Sequence, residues 1–229
     1  MDSGINKGSK TGYKSVVGSQ MPAISQNEEE QFSSVIFEDK LLNLEEFLDQ
    51  MVINLNDGII TEENVNDVIG DHDETRLHLT AANGRADIYN RLIEIGAGLD
   101  AKDIEDETPL HWAARSGKVQ ACKDLIEAFP EETLKNYLNM ENKSGENALF
   151  APAENGDLEV CDLLLKKGID ANAANEEGLT SYGVALENIK SEENLEGLSE
   201  EILAQLEDLI SNSLLTQQSE ILEEVADDD

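Results

Sequence analysis

No lysine or arginine occurs in the last 39 residues of this chain, and cysteine occurs only twice in all 229. Aromatic residues make up 4% of it. No apolar run approaches the ~20 residues that a membrane-spanning helix needs. The lysines of the opening stretch, MDSGINKGSKTGYKSVVGSQ, precede no hydrophobic segment, so a secretory signal is not expected. Two cysteines in a chain of this size do not make a disulfide framework and point to a reducing compartment. The expected location is the cytoplasm, where the sequon-like NKS at Asn142 carries no sugar.

Acid is what the chain has in excess: 16 Lys and Arg against 50 Asp and Glu, a net of −34. Residues 1–70 carry 4 basic and 13 acidic side chains, residues 71–190 carry 12 and 24, and residues 191–229 carry 0 and 13. Such a field repels nucleic acid, whose binding rests on cations that neutralise phosphates, and it repels anionic lipid. The partners left are basic proteins, or proteins whose basic groove normally holds DNA or RNA. The alternative is that the acidity serves solubility alone.

Residues 1–30 are poor in apolar side chains, lack periodicity and read as disordered. Phe37, Leu41, Leu44, Leu48, Met51 and Leu55 then recur at steps of four and three, one stripe of a helix. The DGI at 57–59 breaks it. A second, shorter helix is expected over about 61–69, with Thr61 as N-cap, Glu62 and Glu63 in its first turn and Gly70 as its stop. Residues 31–70 thus read as a helical N-terminal cap.

Beyond it one pattern repeats. TRLHLTAANG starts at Thr75, TPLHWAARSG at Thr108, NALFAPAENG at Asn147 and a fainter TSYGVALENI at Thr180, with offsets of 33, 39 and 33. The first three windows end in Gly84, Gly117 and Gly156, and a second helical pattern follows each. These stretches resemble the ankyrin repeat over about residues 71–185. The resemblance implies an all-α, short ankyrin-repeat solenoid: paired antiparallel helices joined by projecting β-turn fingers, here over 71–190. Leu198, Ile202, Leu206, Leu209 and Leu214 mark an amphipathic C-terminal helical cap over 191–225, with Ser199 as N-cap, and 226–229 is an acidic tail.

Departures from the pattern carry expectations of their own. Arg76 and Ala148 replace the proline of the motif, and Pro152 inside the third repeat's first helix should cost helicity or packing. Asp73 and Asp106 stand where a finger glycine belongs, which Asp tolerates because it enters the left-handed region more readily than most residues. Six extra residues in the second repeat fall near 129–140, where Pro130 and two glutamates suggest an extra helical turn. That insertion either presents Tyr137 to a partner or folds Leu134 and Leu138 back over the gap.

The resemblance implies that His111 bridges back to the finger by hydrogen bonds, tying helix to turn. His78, 33 residues earlier, shares that role. His72 in the acidic DHDE is expected at the surface, and Trp112 at a helix contact. Cys122 and Cys161 both lie 14 residues after a motif start, so they should sit in equivalent helices ~8–10 Å apart, too far for a disulfide. The DGI rhythm does not make a calcium loop, because Ile53, Leu55 and Asn64 would fall at ligand positions. Glycine-rich phosphate loops, metal-ligand spacings and a nucleophile elbow are lacking. No cofactor and no metal are expected, and the expected function is non-enzymatic protein binding.

By resemblance, contacts fall on the fingers and on the two residues before each closing glycine: Ile104, Glu105, Glu107, Arg115 and Ser116 in the second repeat, Lys143, Ser144, Glu146, Glu154 and Asn155 in the third, and Glu176 and Glu177 in the fourth finger. Tyr137 joins them if the insertion binds. Two alternatives belong to other classes. One is a nucleic-acid mimic that fills a basic groove. The other is a bacterial effector exported into a host cell, suggested by the acidic SEILEEVADDD.

Overall fold

The computed structural model describes residues 41–190 and 200–227. The expected disorder of 1–30, Phe37, Ser199 and the last two aspartates of the tail lie outside them. Among the described residues the chain forms ten helices and no strand, with two isolated β-bridges.

The first helix, α1 (Leu41–Asn56), buries Leu44, Leu48, Met51 and Leu55, the stripe read from the sequence. Three repeats of paired helices follow: α2 (Arg76–Asn83) with α3 (Ala86–Glu94), α4 (Pro109–Arg115) with α5 (Val119–Ala128), and α7 (Phe150–Asn155) with α8 (Leu158–Lys166). The insertion forms α6 (Glu131–Leu138), and α9 (Ser181–Lys190) and α10 (Glu200–Asp227) close the chain. Two rows result. Helices α2, α4, α7 and α9 pack side by side as the inner row, and α1, α3, α5, α8 and α10 as the outer row. Helix α1 therefore serves as the outer helix of an incomplete repeat, and α10 as that of the fourth, running through residues assigned to the acidic tail.

The inner helices are short because both ends are fixed. Thr75 and Thr108 cap α2 and α4, with His78 and His111 closing each cap from three residues on, and Pro109 supplies a first-turn residue that has no N–H to strand. Gly84 at φ 70° and Gly156 at φ 76° end α2 and α7 in the left-handed conformation.

Pro152 has the expected cost. By phase with Arg76 and Pro109 the third inner helix should begin at Ala148, yet α7 begins at Phe150. Proline cannot donate to the Ala148 carbonyl, and its ring crowds that group. Asn147 compensates, its Oδ1 accepting the Leu149 N–H at 3.1 Å.

The helix expected over 61–69 does not form; the segment is a series of turns. Asn64 Oδ1 accepts the Thr61 N–H, its amide donates to the Ile59 carbonyl, and Val68 bridges to Thr75. Residues 64–69 stand 33 before 97–102, the connection that leads into the next finger, so the repeat phase overrides the local helix signals. Ile60 and Val65 are buried there, with Arg76 Nη1 donating to the Asn64 carbonyl at 2.8 Å.

Candidate functional site

Each finger is built around one side chain at its base. Asp103 Oδ1 accepts the N–H groups of Glu105 and Glu107; Asn142 does the same for Ser144 and Glu146, and Asn175 for Glu177 and Leu179. The first repeat has Gly70 at this position. The Glu74 carboxylate fills the vacancy: a Cβ on Gly70 would lie 1.7 Å from Glu74 Oε1, and Glu74 Oε2 accepts the His72 N–H. Finger tips turn on Asp73, Asp106, Gly145 and Gly178, all at φ between 59° and 78°. The two aspartates thus adopt the conformation that the sequence demanded of them.

Backbone bonds join the fingers in register. Ile104 N–H donates to the His72 carbonyl, Lys143 to Glu105 and Glu176 to Ser144, at 2.7–2.9 Å. Beneath them the histidines tie repeat to repeat. His78 Nε2 lies 3.0 Å from the Glu107 carbonyl, and His111 Nε2 lies 3.2 Å from that of Glu146. A carbonyl can only accept, so each Nε2 carries the proton, and each Nδ1 accepts from the threonine three residues before it. The resemblance implied a tie between helix and finger; the finger reached is that of the following repeat. Burial lowers both histidine pKa values, that of His111 to about 4, so both rings are neutral at pH 7. Trp112 is buried, its Nε1 donating to Asp103 Oδ2 at 2.8 Å, while His72 is exposed. Cys122 and Cys161 are free and buried, which pushes both thiols up to about 12.

The residues expected to make contacts divide. Ile104 is 40% exposed, and Glu105, Ser116, Lys143, Ser144, Glu154, Asn155, Glu176 and Glu177 are exposed, with Glu146 half-buried. Arg115 is exposed but committed, its guanidinium bound to the carboxylate of Glu107 by both terminal nitrogens. Glu107 itself is 4% exposed and faces inward, a correction to its expected role. Tyr137 is corrected likewise. It is 2% exposed, stacked on Phe129 with ring centroids 4.0 Å apart. It lies in the last turn of α6, the helix that the insertion adds before the third finger. The insertion folds back, with Leu138 buried and Leu134 partly so.

The third and fourth fingers and the inner helices α7 and α9 enclose a cleft of about 310 Å3. Its lining includes five expected residues: Ser144, Glu146, Glu154, Glu176 and Glu177. Five more had escaped sequence reasoning: Asn175, Leu179, Val184, Glu187 and Asn188. Phase could have found two of them, since Glu187 and Asn188 stand 33 residues after Glu154 and Asn155. Five carboxylates line the cleft and no Lys or Arg does. Asn188 Nδ2 donates to Glu154 Oε1 at 2.7 Å, and Asn175 Nδ2 lies 3.4 Å from Glu146 Oε1, so two glutamates are held in place.

Among the described residues no cluster of His, Cys, Asp or Glu has the arrangement to hold a metal, and no helix is long and apolar enough to cross a membrane.

A model of ankyrin repeats (3 copies) matches residues 44–137 and 77–175. Among curated proteins, the chain is 29% identical over 118 residues to the transient receptor potential cation channel subfamily A member 1 of Homo sapiens. That alignment covers 50% of this chain and 10% of the channel. It is 30% identical over 100 residues to NF-kappa-B inhibitor alpha of Gallus gallus, covering 44% of this chain and 31% of the relative. It is 37% identical over 95 residues to protein phosphatase 1 regulatory subunit 12A of Mus musculus, covering 41% and 8%. The chain thus spans less than a third of the length of each of these relatives. Together with the stacked helix pairs and fingers, the match shows that the chain belongs to the ankyrin-repeat family.

Proposed function

We propose that this chain is a non-enzymatic protein-binding module that seats a basic segment of a partner protein in the cleft between its third and fourth repeats. The observation that carries this reading is the cleft itself, a concave site lined by Glu146, Glu154, Glu176, Glu177 and Glu187 and by no cation. Charge of one sign in a concave site focuses its field, which favours cationic partners and speeds their approach. Two relatives are named for protein targets, an inhibitor of NF-kappa-B and a regulatory subunit of protein phosphatase 1, which supports a protein partner here as well. The two free, buried thiols fit the cytoplasmic setting expected from composition.

Titration of a lysine-rich peptide against wild type and Glu176→Lys/Glu177→Lys tests the proposal. Both substitutions are on exposed finger residues. The variant should keep its stability and lose at least tenfold in affinity, with wild-type binding weakening as rising salt shortens the Debye length to ~8–10 Å and below. Equal affinity of the two proteins would place the basic partner elsewhere. If duplex DNA-binding proteins are captured instead, and released by duplex DNA, the mimic reading takes its place.

A further inference from the structure

The opening segment differs from the rest of the chain in the sign of its net charge. Residues 1–27 hold Lys7, Lys10 and Lys14 against the single acid Asp2, whereas residues 28–229 hold 13 basic and 49 acidic side chains (16 − 3 and 50 − 1). The cleft is the counterpart of that segment. Its lining combines the half-buried apolar side chains of Leu179 and Val184 with five glutamates. This combination suits lysine, whose aliphatic stem covers apolar surface while its ammonium stays among acceptors.

We infer that residues 7–17 of the chain, KGSKTGYKSVV, occupy this cleft intramolecularly, as a pseudo-ligand that a basic partner must displace. This rests on the reading of the cleft as the partner site. A second copy is the less suitable occupant, because two chains of net charge −34 repel. Reach is sufficient. From Lys14 to Leu41 there are 27 residue steps (41 − 14), and a chain of that length reaches at most about 90 Å. The stack from α1 to the cleft spans three outer-helix spacings, along α3, α5 and α8, and one more across to the inner row, or about 30–40 Å at 8–10 Å each, within that reach. A tether long enough to span the distance makes the contact intramolecular, so that a weak contact can be occupied.

The test compares the full chain with Lys7→Gln/Lys10→Gln/Lys14→Gln, using octalysine as the probe at low salt. Removing the tethered competitor should tighten octalysine binding about three- to tenfold. Lys123→Gln/Lys166→Gln/Lys167→Gln changes the net charge equally from α5 and the C-terminal end of α8 and should leave affinity where it was. Amide resonances of Ser144, Glu176 and Glu177 should shift between wild type and the N-terminal triple variant, and their shift should vanish in the Glu176→Lys/Glu177→Lys background. Equal octalysine affinity with unmoved amide resonances overturns the self-docking while leaving the cleft as a partner site. Octalysine binding to neither protein overturns the proposed function and this inference together. Equal tightening by the two triple variants assigns the effect to net charge and also overturns the inference.

Discussion

The first two junctions of the array differ from the third. Between repeats one and two, and between two and three, a buried histidine spans from the inner helix to the next finger. At the third junction the same phase, 39 residues after His111, is held by Phe150, which is buried. There Asn147 Nδ2 bonds the Asp170 carbonyl, and side-chain amides of Asn175 and Asn188 hold glutamates of the cleft. The difference separates two junctions fastened by buried histidines from one that opens into the proposed partner cleft. Where the motif is kept, polar groups are spent on fastening repeat to repeat. Where it lapses, the inner helix starts late, at Phe150 ahead of Pro152, and polar groups line an open cleft.

The strongest way to break this comparison is through the insertion, which reinforces the second junction. Tyr137→Ala removes a fully buried aromatic stacked on Phe129 and should cost ~3–5 kcal/mol in equilibrium unfolding. Affinity for a basic peptide, measured below the lowered melting point, should hold. A stable variant with weakened binding would return the insertion to the partner-contact role.

The histidine latches predict an acid response of similar size. The unfolded chain takes up a proton on His111 near pH 6.5, the folded one only near pH 4. Its contribution is therefore fully present above about pH 6.5 and is lost as pH falls towards 4, on the order of 3 kcal/mol in all. His111→Phe imitates the third junction. It removes one of two hydrogen bonds to the Glu146 carbonyl, which keeps the Asn142 N–H, and leaves the Thr108 N–H and hydroxyl without their acceptor, so it should lower stability at pH 7 by ~1–3 kcal/mol. It should then lose less than wild type between pH 7 and 4. Identical pH profiles would show that the latch does not titrate with unfolding.

A smaller effect of opposite sign separates size from polarity at Tyr137. Its hydroxyl is buried with no hydrogen-bond partner among the described residues. Tyr137→Phe keeps the stacked ring and removes the stranded group, so stability should rise by ~1 kcal/mol. A loss of stability would reveal a partner for the hydroxyl.

The repeat phase made most of this legible in the sequence. Offsets of 33 and 39 residues located the inner helices, the structural histidines and the separated cysteines, because a solenoid gives the same environment to every residue of one phase. Local signals did worse when they competed with phase. Thr61 with two glutamates resembles a helix start, yet 64–69 is the connection into a finger. Glu107 resembles a finger contact, yet it turns inward to Arg115. The Glu74 carboxylate in the place of a Gly70 side chain left no local signal, since it depends on a vacancy four residues away.

One substitution made twice gives the finest comparison. Glu107 lies inside the second repeat, its carboxylate bound by both terminal nitrogens of Arg115 and approached by Asn142 Nδ2 at 3.4 Å. Glu107→Gln removes the charge-assisted acceptor and should cost ~1 kcal/mol, a modest figure because the guanidinium is half exposed to screening solvent. Glu187 faces the cleft across from four other glutamates, with no Lys or Arg in the lining. There Glu187→Gln relieves like-charge repulsion, so stability should rise, by less than ~0.5 kcal/mol as for most surface changes. The gain should shrink between 0.05 and 0.5 M salt, as exposed charges are screened over ever shorter distances. The same variant should bind a lysine-rich peptide more weakly, because one of the carboxylates that would attract its cations is gone. Opposite signs for Glu107 and Glu187 in unfolding, with a binding loss at Glu187, would bear out the division between fastening and recognition. Equal costs at both positions would show that the third junction is held by its carboxylates as the first two are.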